Sequence, residues 1–161
     1  MKAAILIGSD SDWPIMKPAV ETLKKFGVEA EVTVASAHRT PARVEQLVRT
    51  APERGVRLFI AAAGGAAHLA GVVASHTTLP VIGVPINASP LNGMDALFAT
   101  VQMPSGVPVA TMAINGSKNA ALFAVQILAL TDETLSAKLK EHRGNLAKEV
   151  EQKSDRVQAQ L

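Results

Sequence analysis

The sequence predicts an α/β protein built on a five-stranded parallel sheet with helices on both faces, and three observations carry that prediction. Short apolar runs of strand length alternate with longer runs whose apolar residues recur at helical spacing. The first two apolar runs each end in a polar cluster that opens a helix, Gly8-Ser9-Asp10-Ser11-Asp12 and Ser36-Ala37-His38-Arg39-Thr40-Pro41. Glycine and proline punctuate the segments where an α/β repeat needs turns.

Taken in order, Ala3 to Ile7 is the first strand. Ile15, Met16, Ala19, Val20 and Leu23 then recur with helical period between Pro14 and the terminating Gly27. Val28, Ala30, Val32 and Val34 alternate at period two, the mark of a second strand over 28–34. Thr40 stands as cap before Pro41, and Val44, Leu47, Val48 and Ala51 form one apolar helix face ended by Gly55. A third strand covers 58–63, after which Gly64-Gly65 turns the chain into an Ala-rich helix. A strand over 80–84, a helix over 93–101, a fifth strand over 107–114 and a helix from Ser117 or Lys118 to Leu130 complete the pattern. Beyond it, Leu135, Leu139, Leu146, Val150 and Val157 draw a thin apolar seam along a charged helix. The expected organisation is a single domain over 1–161, with a core of about 1–130 and a helical extension over 131–161. The core already has its covering helices, so that extension is expected to pack on a neighbouring subunit.

Composition narrows the function. At 161 residues, 48% hydrophobic and a mean hydropathy of +0.20, the chain is long enough for one buried core. Aromatic residues make up 3%, so Ala, Val, Ile and Leu must fill that core, and Trp13 with four Phe cannot supply a base-stacking platform. The net charge is +2 and the bases are scattered without a stripe, which argues against a nucleic-acid or membrane partner. Zero cysteines excludes disulfides, thiol nucleophiles and cysteine-ligated metals. The first apolar run is too short for a signal-peptide core, and the 58–74 stretch is interrupted by His68 and short of the ~20 residues that span a bilayer. A cytoplasmic location is expected.

In an open parallel sheet, ligands bind in the crevice beyond the carboxyl ends of the strands. Gly8 allows close backbone approach, Ser9 and Ser11 add hydroxyl donors, and the helix beginning near Trp13 turns its positive end toward the same turn, which suits a phosphate. Asp10 and Asp12 would repel a phosphate, so at least one is better placed to accept hydrogen bonds from ribose hydroxyls or an amine. The plainer alternative is that Ser11 or Asp12 only caps the helix. His38 is the proton-carrier candidate, because imidazole both gives and takes protons near neutrality, and Arg39 beside it offers a permanent fork of donors to an anion. The Ala61 to His68 loop has almost no side chain, so its backbone N–H groups could line a ligand wall, or the same residues could serve tight strand-to-helix packing. His68 and His76 lie eight apart without a companion acid or cysteine, a poor metal pattern, and no metal or other cofactor is expected.

Five blocks in order, Gly8-Ser9-x-Ser11-Asp12-Trp13, Ser36-Ala37-His38-Arg39-Thr40-Pro41, Gly64-Gly65-Ala66-Ala67-His68-Leu69, Pro80-Val81-Ile82-Gly83-Val84-Pro85 and Val101-Gln102-Met103-Pro104, resemble the bacterial N5-carboxyaminoimidazole ribonucleotide mutase family of purine biosynthesis. The resemblance covers about residues 3–130. It implies a flavodoxin-like three-layer αβα sandwich and a homo-octamer with sites near subunit contacts. It also implies a reaction in which the exocyclic nitrogen loses CO2 inside a closed site and C4 of the aminoimidazole recaptures it. His38 matches the family's catalytic histidine. By the same matching Ser9, Asp12 and Arg39 bind the ribonucleotide, and Gly64, His68 and Leu69 lie around the carboxyl group, with Gly8, Ser11, Ser36, Ala37, Gly65 and Ala66 completing the expected substrate-binding set. Arg39-Thr40 after the histidine favours the mutase over the related carboxylase that takes free CO2, whose members usually carry Lys-Gly there. The chain departs from the family at Ala62, Ala70, Ala96, Ala99 and Ala110, and in a shorter 114–119 turn.

Overall fold

The first apolar run forms strand β1, Lys2–Ile7, every residue after Lys2 being buried, and it becomes the second strand of a sheet in the order β2-β1-β3-β4-β5. A computed structural model describes all 161 residues. The strands are β2 (Glu29–Val34), β3 (Val56–Gly64), β4 (Val81–Ile86) and β5 (Ala110–Thr111), and all four pairings are parallel. The helices are α1 (Trp13–Phe26), α2 (Pro41–Arg49), α3 (Leu69–Ser75), α4 (Met94–Val101), α5 (Ser117–Ala129) and α6 (Glu133–Gln158). This is the flavodoxin-like α/β fold, and its order reverses at β1, where the chain first moves to β2 and then crosses back to β3. That reversal opens a crevice between the β1 and β3 ends, which is where a doubly wound sheet binds its ligand.

Two packed faces follow from strand alternation. On one face Ala4, Leu6, Phe59 and Ala61 meet Val44 and Val48 of α2 and Leu69, Ala70 and Val73 of α3. The side chains between them, Ala3, Ile5, Ile7, Leu58 and Ile60, are fully buried toward the opposite face, on which a right-handed crossover places α1 with its buried Met16, Ala19 and Leu23. Gly83 lies where α3 and α4 press on β4: a Cβ there would sit 2.4 Å from Thr100 Cγ2 and 3.3 Å from Ala70 Cβ. Helix α1 ends as its sequence requires. Gly27 adopts φ 82°, and the Val28 N–H reaches back to Leu23 O at 3.0 Å in a Schellman closure.

Several details differ from the sequence reading. The fifth strand is two residues long rather than eight, because Pro104, Gly106 and Pro108 hold the approach in turns and deny the ladder donors. Pro85 is tolerated in the interior strand β4 for the matching reason: its register position lies beyond the β5 pairings at Ile82 and Gly83, where no donor is needed. Thr40 occupies the N-cap position of α2, but its hydroxyl donates to Ser36 O at 3.1 Å instead of capping. Helix α2 stops at Arg49, and a short 3-10 turn over Pro52–Arg54 separates it from Gly55, whose φ of 79° makes the turn into β3. In β2 the alternation is real but Val32 and Val34 remain exposed, since β2 is an edge strand.

The chain divides into two compact units, residues 1–124 and 125–161. Within the second, Asp132 caps α6 by accepting from the Leu135 N–H at 3.0 Å. Of the expected seam, Leu135 is buried and Leu139 half-buried, while Leu146, Val150 and Val157 lie exposed. No helix of the structure is long and apolar enough to cross a membrane.

Candidate active site

The carboxyl ends of β1, β2 and β3 bring the sequence's separate clusters to one cleft of about 380 Å³. Gly8, Ser9, Ser11 and Asp12 come from the turn after β1; Ser36, Ala37, His38 and Arg39 from the turn after β2; Gly64, Gly65, Ala66 and Leu69 from the end of β3 and the start of α3. Clusters 24 or more residues apart in sequence thus face one space because parallel strands all deliver their loops to the same edge.

The first turn is a reciprocal capping box. Ser9 Oγ accepts from the Ser11 N–H at 3.3 Å, and Asp12 Oδ2 accepts from the Ser9 N–H at 3.1 Å. Ser11 Oγ donates to Ser9 Oγ at 2.9 Å, so the two hydroxyls lie side by side on the cleft wall. Ser11 and Asp12 are both tied into the turn through Ser9, while Asp12, at the N-cap of α1, makes no side-chain bond to that helix; it is only 4% exposed. Burial is the largest influence on its carboxyl and pushes its pKa above the ordinary 3.8, against the lowering by the Ser9 N–H and the Ser11 side chain. Capping and ligand contact are compatible here, since each carboxylate oxygen has two lone pairs.

The second turn is closed by the Thr40 N–H, which donates to Ser36 O at 2.9 Å, and by the Ser36 N–H, which donates to Thr40 Oγ1 at 3.0 Å. Arg39 lies across the mouth of the crevice. Its Nη2 donates to Gly8 O at 3.1 Å, and its backbone N–H and Nε donate to Ser36 Oγ at 3.2 and 3.4 Å. All these partners are neutral, so the guanidinium is oriented while its charge stays available to an anion. Gly8, Ser9, Ser36 and Arg39 also line an adjoining concavity that contains Arg43.

His38 Nε2 stands 2.8 Å from His68 Nδ1, the rings meeting edge to face at 81° with centroids 4.9 Å apart. One ring must donate and the other accept, so the pair accommodates one additional proton but not two facing N–H groups. His68, placed at the N-cap of α3, does not itself line the 380 Å³ cleft and joins the site through His38. The small-residue loop is partly committed to itself: the Ala67 N–H donates to Gly65 O at 2.9 Å and the His68 N–H to Ala66 O at 2.8 Å. Of the cleft glycines Gly8 and Gly64, Gly64 is the one to which the protein itself leaves no room for a side chain. A Cβ at Gly8 would meet Ala63 Cβ at an ordinary 3.5 Å, whereas one at Gly64 would lie 2.5 Å from Ala88 Cβ.

Ala63, part of the loop expected as a wall, lines the cleft, and so does Ala88, which nothing in the sequence marked. A methyl group carries no chemical signature, and Ala88 is brought in only because β4 lies beside β3.

A family profile described as AIR carboxylase matches residues 2–149. The chain is 52% identical over 157 residues to the N5-carboxyaminoimidazole ribonucleotide mutase of Thermotoga maritima, covering 98% of this chain and 92% of that one. It is 55% identical over 137 residues to the phosphoribosylaminoimidazole carboxylase of Saccharomyces cerevisiae, covering 85% of this chain but 24% of that protein. Among solved structures, Treponema denticola PurE superposes with a TM-score of 0.86 at 28% identity, covering 96% of this chain and 97% of that one. The agreement in sequence over nearly the whole length and in fold means that the chain belongs to the AIR carboxylase family.

Proposed function

We propose that this chain is an N5-carboxyaminoimidazole ribonucleotide mutase, an isomerase of purine biosynthesis that moves a carboxyl group from the exocyclic nitrogen to C4 of the imidazole. The observation that carries the reading is the convergence of one proton carrier, His38, one oriented guanidinium, Arg39, and the Ser9 to Asp12 turn on a single cleft. Several mutases matched over most of their length support it, among them that of Thermotoga maritima.

In this reading Arg39, with the paired hydroxyls of Ser9 and Ser11, binds the phosphate, and the Asp12 carboxylate accepts from ribose hydroxyls. Gly64, Gly65, Ala66 and Leu69 form the wall against the imidazole and its carboxyl group. In the first half-reaction the N–CO2 bond breaks and His38 delivers a proton to the exocyclic nitrogen. In the second the C4 carbon attacks the trapped CO2, and the C4 proton returns to His38, so no proton is consumed overall. Confinement matters as much as the proton relay, because CO2 held against C4 has a high effective molarity. His68, hydrogen-bonded to His38, keeps that ring oriented through both changes of protonation. The remaining elements of the proposal are a cytoplasmic homo-octamer, with residues 131–161 as the extension of a single domain that docks on a neighbouring subunit.

The alternative is carboxylation of aminoimidazole ribonucleotide by free CO2, and the fungal relatives named as carboxylases favour testing it directly. The test compares kcat/KM for N5-carboxyaminoimidazole ribonucleotide with that for aminoimidazole ribonucleotide plus bicarbonate, which reports differential transition-state stabilisation. The mutase reading expects product from the carboxylated nucleotide without added bicarbonate, ATP or metal. A clear preference for the uncarboxylated nucleotide plus CO2 overturns it.

A further inference from the structure

The N-terminus of α5 bounds a second concavity of about 430 Å³, lined by Asn115, Gly116, Ser117, Lys118 and Asn119 on one side and by Pro14, Ile15 and Pro18 of α1 on the other. Every polar side chain on its wall carries a donor, and no carboxylate lines it. The turn that builds it is tightly specified. Asn115 adopts φ 58°, the Gly116 N–H donates to Ala113 O at 2.9 Å, and a Cβ on Gly116 would fall 2.8 Å from that same oxygen. The Asn115 side-chain oxygen accepts from the Asn87 N–H at 2.9 Å, which fixes the amide and leaves its NH2 to donate. The first turn of the helix closes from Gly116 O to the Ala120 N–H, so the Lys118 and Asn119 N–H groups are end donors without an intrahelical acceptor.

A helix end alone attracts anions only weakly, and the second observation is Ser117. It is 96% buried (4% exposed), it lines the concavity, and its hydroxyl makes no hydrogen bond within the protein. That hydroxyl is the part of a buried residue that opens into the concavity, free to bond a ligand or water that enters it. Lys118 adds a full positive charge at the rim and Pro14, Ile15 and Pro18 provide an apolar floor.

We propose that this concavity is a second anion site, separate from the His38 cleft, which takes a phosphate monoester with a small apolar body: the phosphate on Ser117, Lys118, Asn119 and the helix end, the body against Pro14, Ile15 and Pro18. The proposal does not depend on which reaction the His38 cleft performs.

Calorimetric titration of the full-length protein tests it, with inorganic phosphate and phenyl phosphate as probes. Arg39→Ala removes the principal anion contact of the His38 cleft, and phosphate binding is expected to persist in that variant. Adding Lys118→Glu is expected to weaken the remaining binding by about tenfold or more, the loss of a charge-assisted contact, and adding Ser117→Ala by a smaller factor. Phenyl phosphate should bind more tightly than inorganic phosphate until Lys118 is reversed. Lys118 is exposed, so an unchanged thermal unfolding curve and unchanged turnover in phosphate-free buffer show that Lys118→Glu is folded. Absence of binding to the Arg39→Ala protein at millimolar phosphate, or equal binding with and without Lys118→Glu, overturns the site; equal affinity for the two probes overturns the apolar floor.

Discussion

Replacing Gly64 by Ala is expected to damage stability and the cleft together, because the added methyl has nowhere to go. Its Cβ would stand 2.5 Å from Ala88 Cβ and 3.1 Å from Ile86 O. Carbon atoms prefer separations of about 3.5–4.0 Å, so the end of β3 and the segment after β4 must part by about 1 Å. Neither atom belongs to a flexible side chain, so no rotamer change relieves the contact. Overpacking of this kind costs about 1–3 kcal/mol, and for a chain of this size each kcal/mol lowers the melting temperature by about 2–4 °C. The expected loss in Gly64→Ala is therefore about 2–12 °C, with a lower kcat/KM because Gly64 and Ala88 both line the cleft. Gly8→Ala is the control, since its Cβ would meet Ala63 Cβ at an ordinary 3.5 Å. Adding Ala88→Gly to Gly64→Ala removes the 2.5 Å contact and leaves the 3.1 Å one, so it should restore most but not all of the loss. Urea and thermal unfolding of the four proteins of this cycle measure the coupling. If Gly64→Ala matches wild type, or Ala88→Gly restores nothing, the steric argument is wrong.

Four further outcomes are expected. His38→Asn should keep the fold and nucleotide binding while turnover falls by more than the ~10²–10⁴ typical of one acid–base residue, since one imidazole serves both half-reactions; near-wild-type steady-state activity would remove His38 from the mechanism. Arg39→Ala should weaken binding of the ribonucleotide more than of its dephosphorylated nucleoside in calorimetric titrations, and equal losses would place Arg39 elsewhere. Burial raises the Asp12 pKa, so the fold favours the protonated acid: its contribution to stability is complete below the unfolded value near 3.8 and is lost as pH rises through the higher folded value. Asp12→Asn cannot ionise, so it should flatten the pH dependence of urea unfolding above pH ~4, raise stability at neutral pH and weaken substrate binding; an unchanged pH profile would contradict the burial effect. If the proposed oligomer forms through the α6 seam, deleting residues 132–161 should lower the number of subunits seen by light scattering, because Leu146, Val150 and Val157 are exposed in the isolated chain; a full-length monomer or an unaltered assembly would show that the seam docks nothing.

The parallel α/β architecture was legible in the sequence because apolar periodicity and the Gly and Pro punctuation are local: the spacing of Met16, Ala19 and Leu23, or Gly27 after Phe26, states its consequence without reference to the rest of the chain. The chemistry of the cleft was legible for the same reason, since Ser9, Asp12, His38 and Arg39 carry their hydrogen-bonding and charge properties wherever they are placed. The length of β5 was not, because a run of apolar residues forms a strand only as far as a neighbour offers partners, and Pro104 and Pro108 limit what this one can accept. Nor could the sequence say that Thr40 would spend its hydroxyl on Ser36, that Gly64 rather than Gly8 is the position without room for a methyl, or that Ala88 would face the site. The contact between His38 and His68, thirty residues apart, belongs to the same class. Distances across the crevice depend on strand order, and strand order is decided by how all the apolar faces bury at once, a property of the packed chain that no single segment contains.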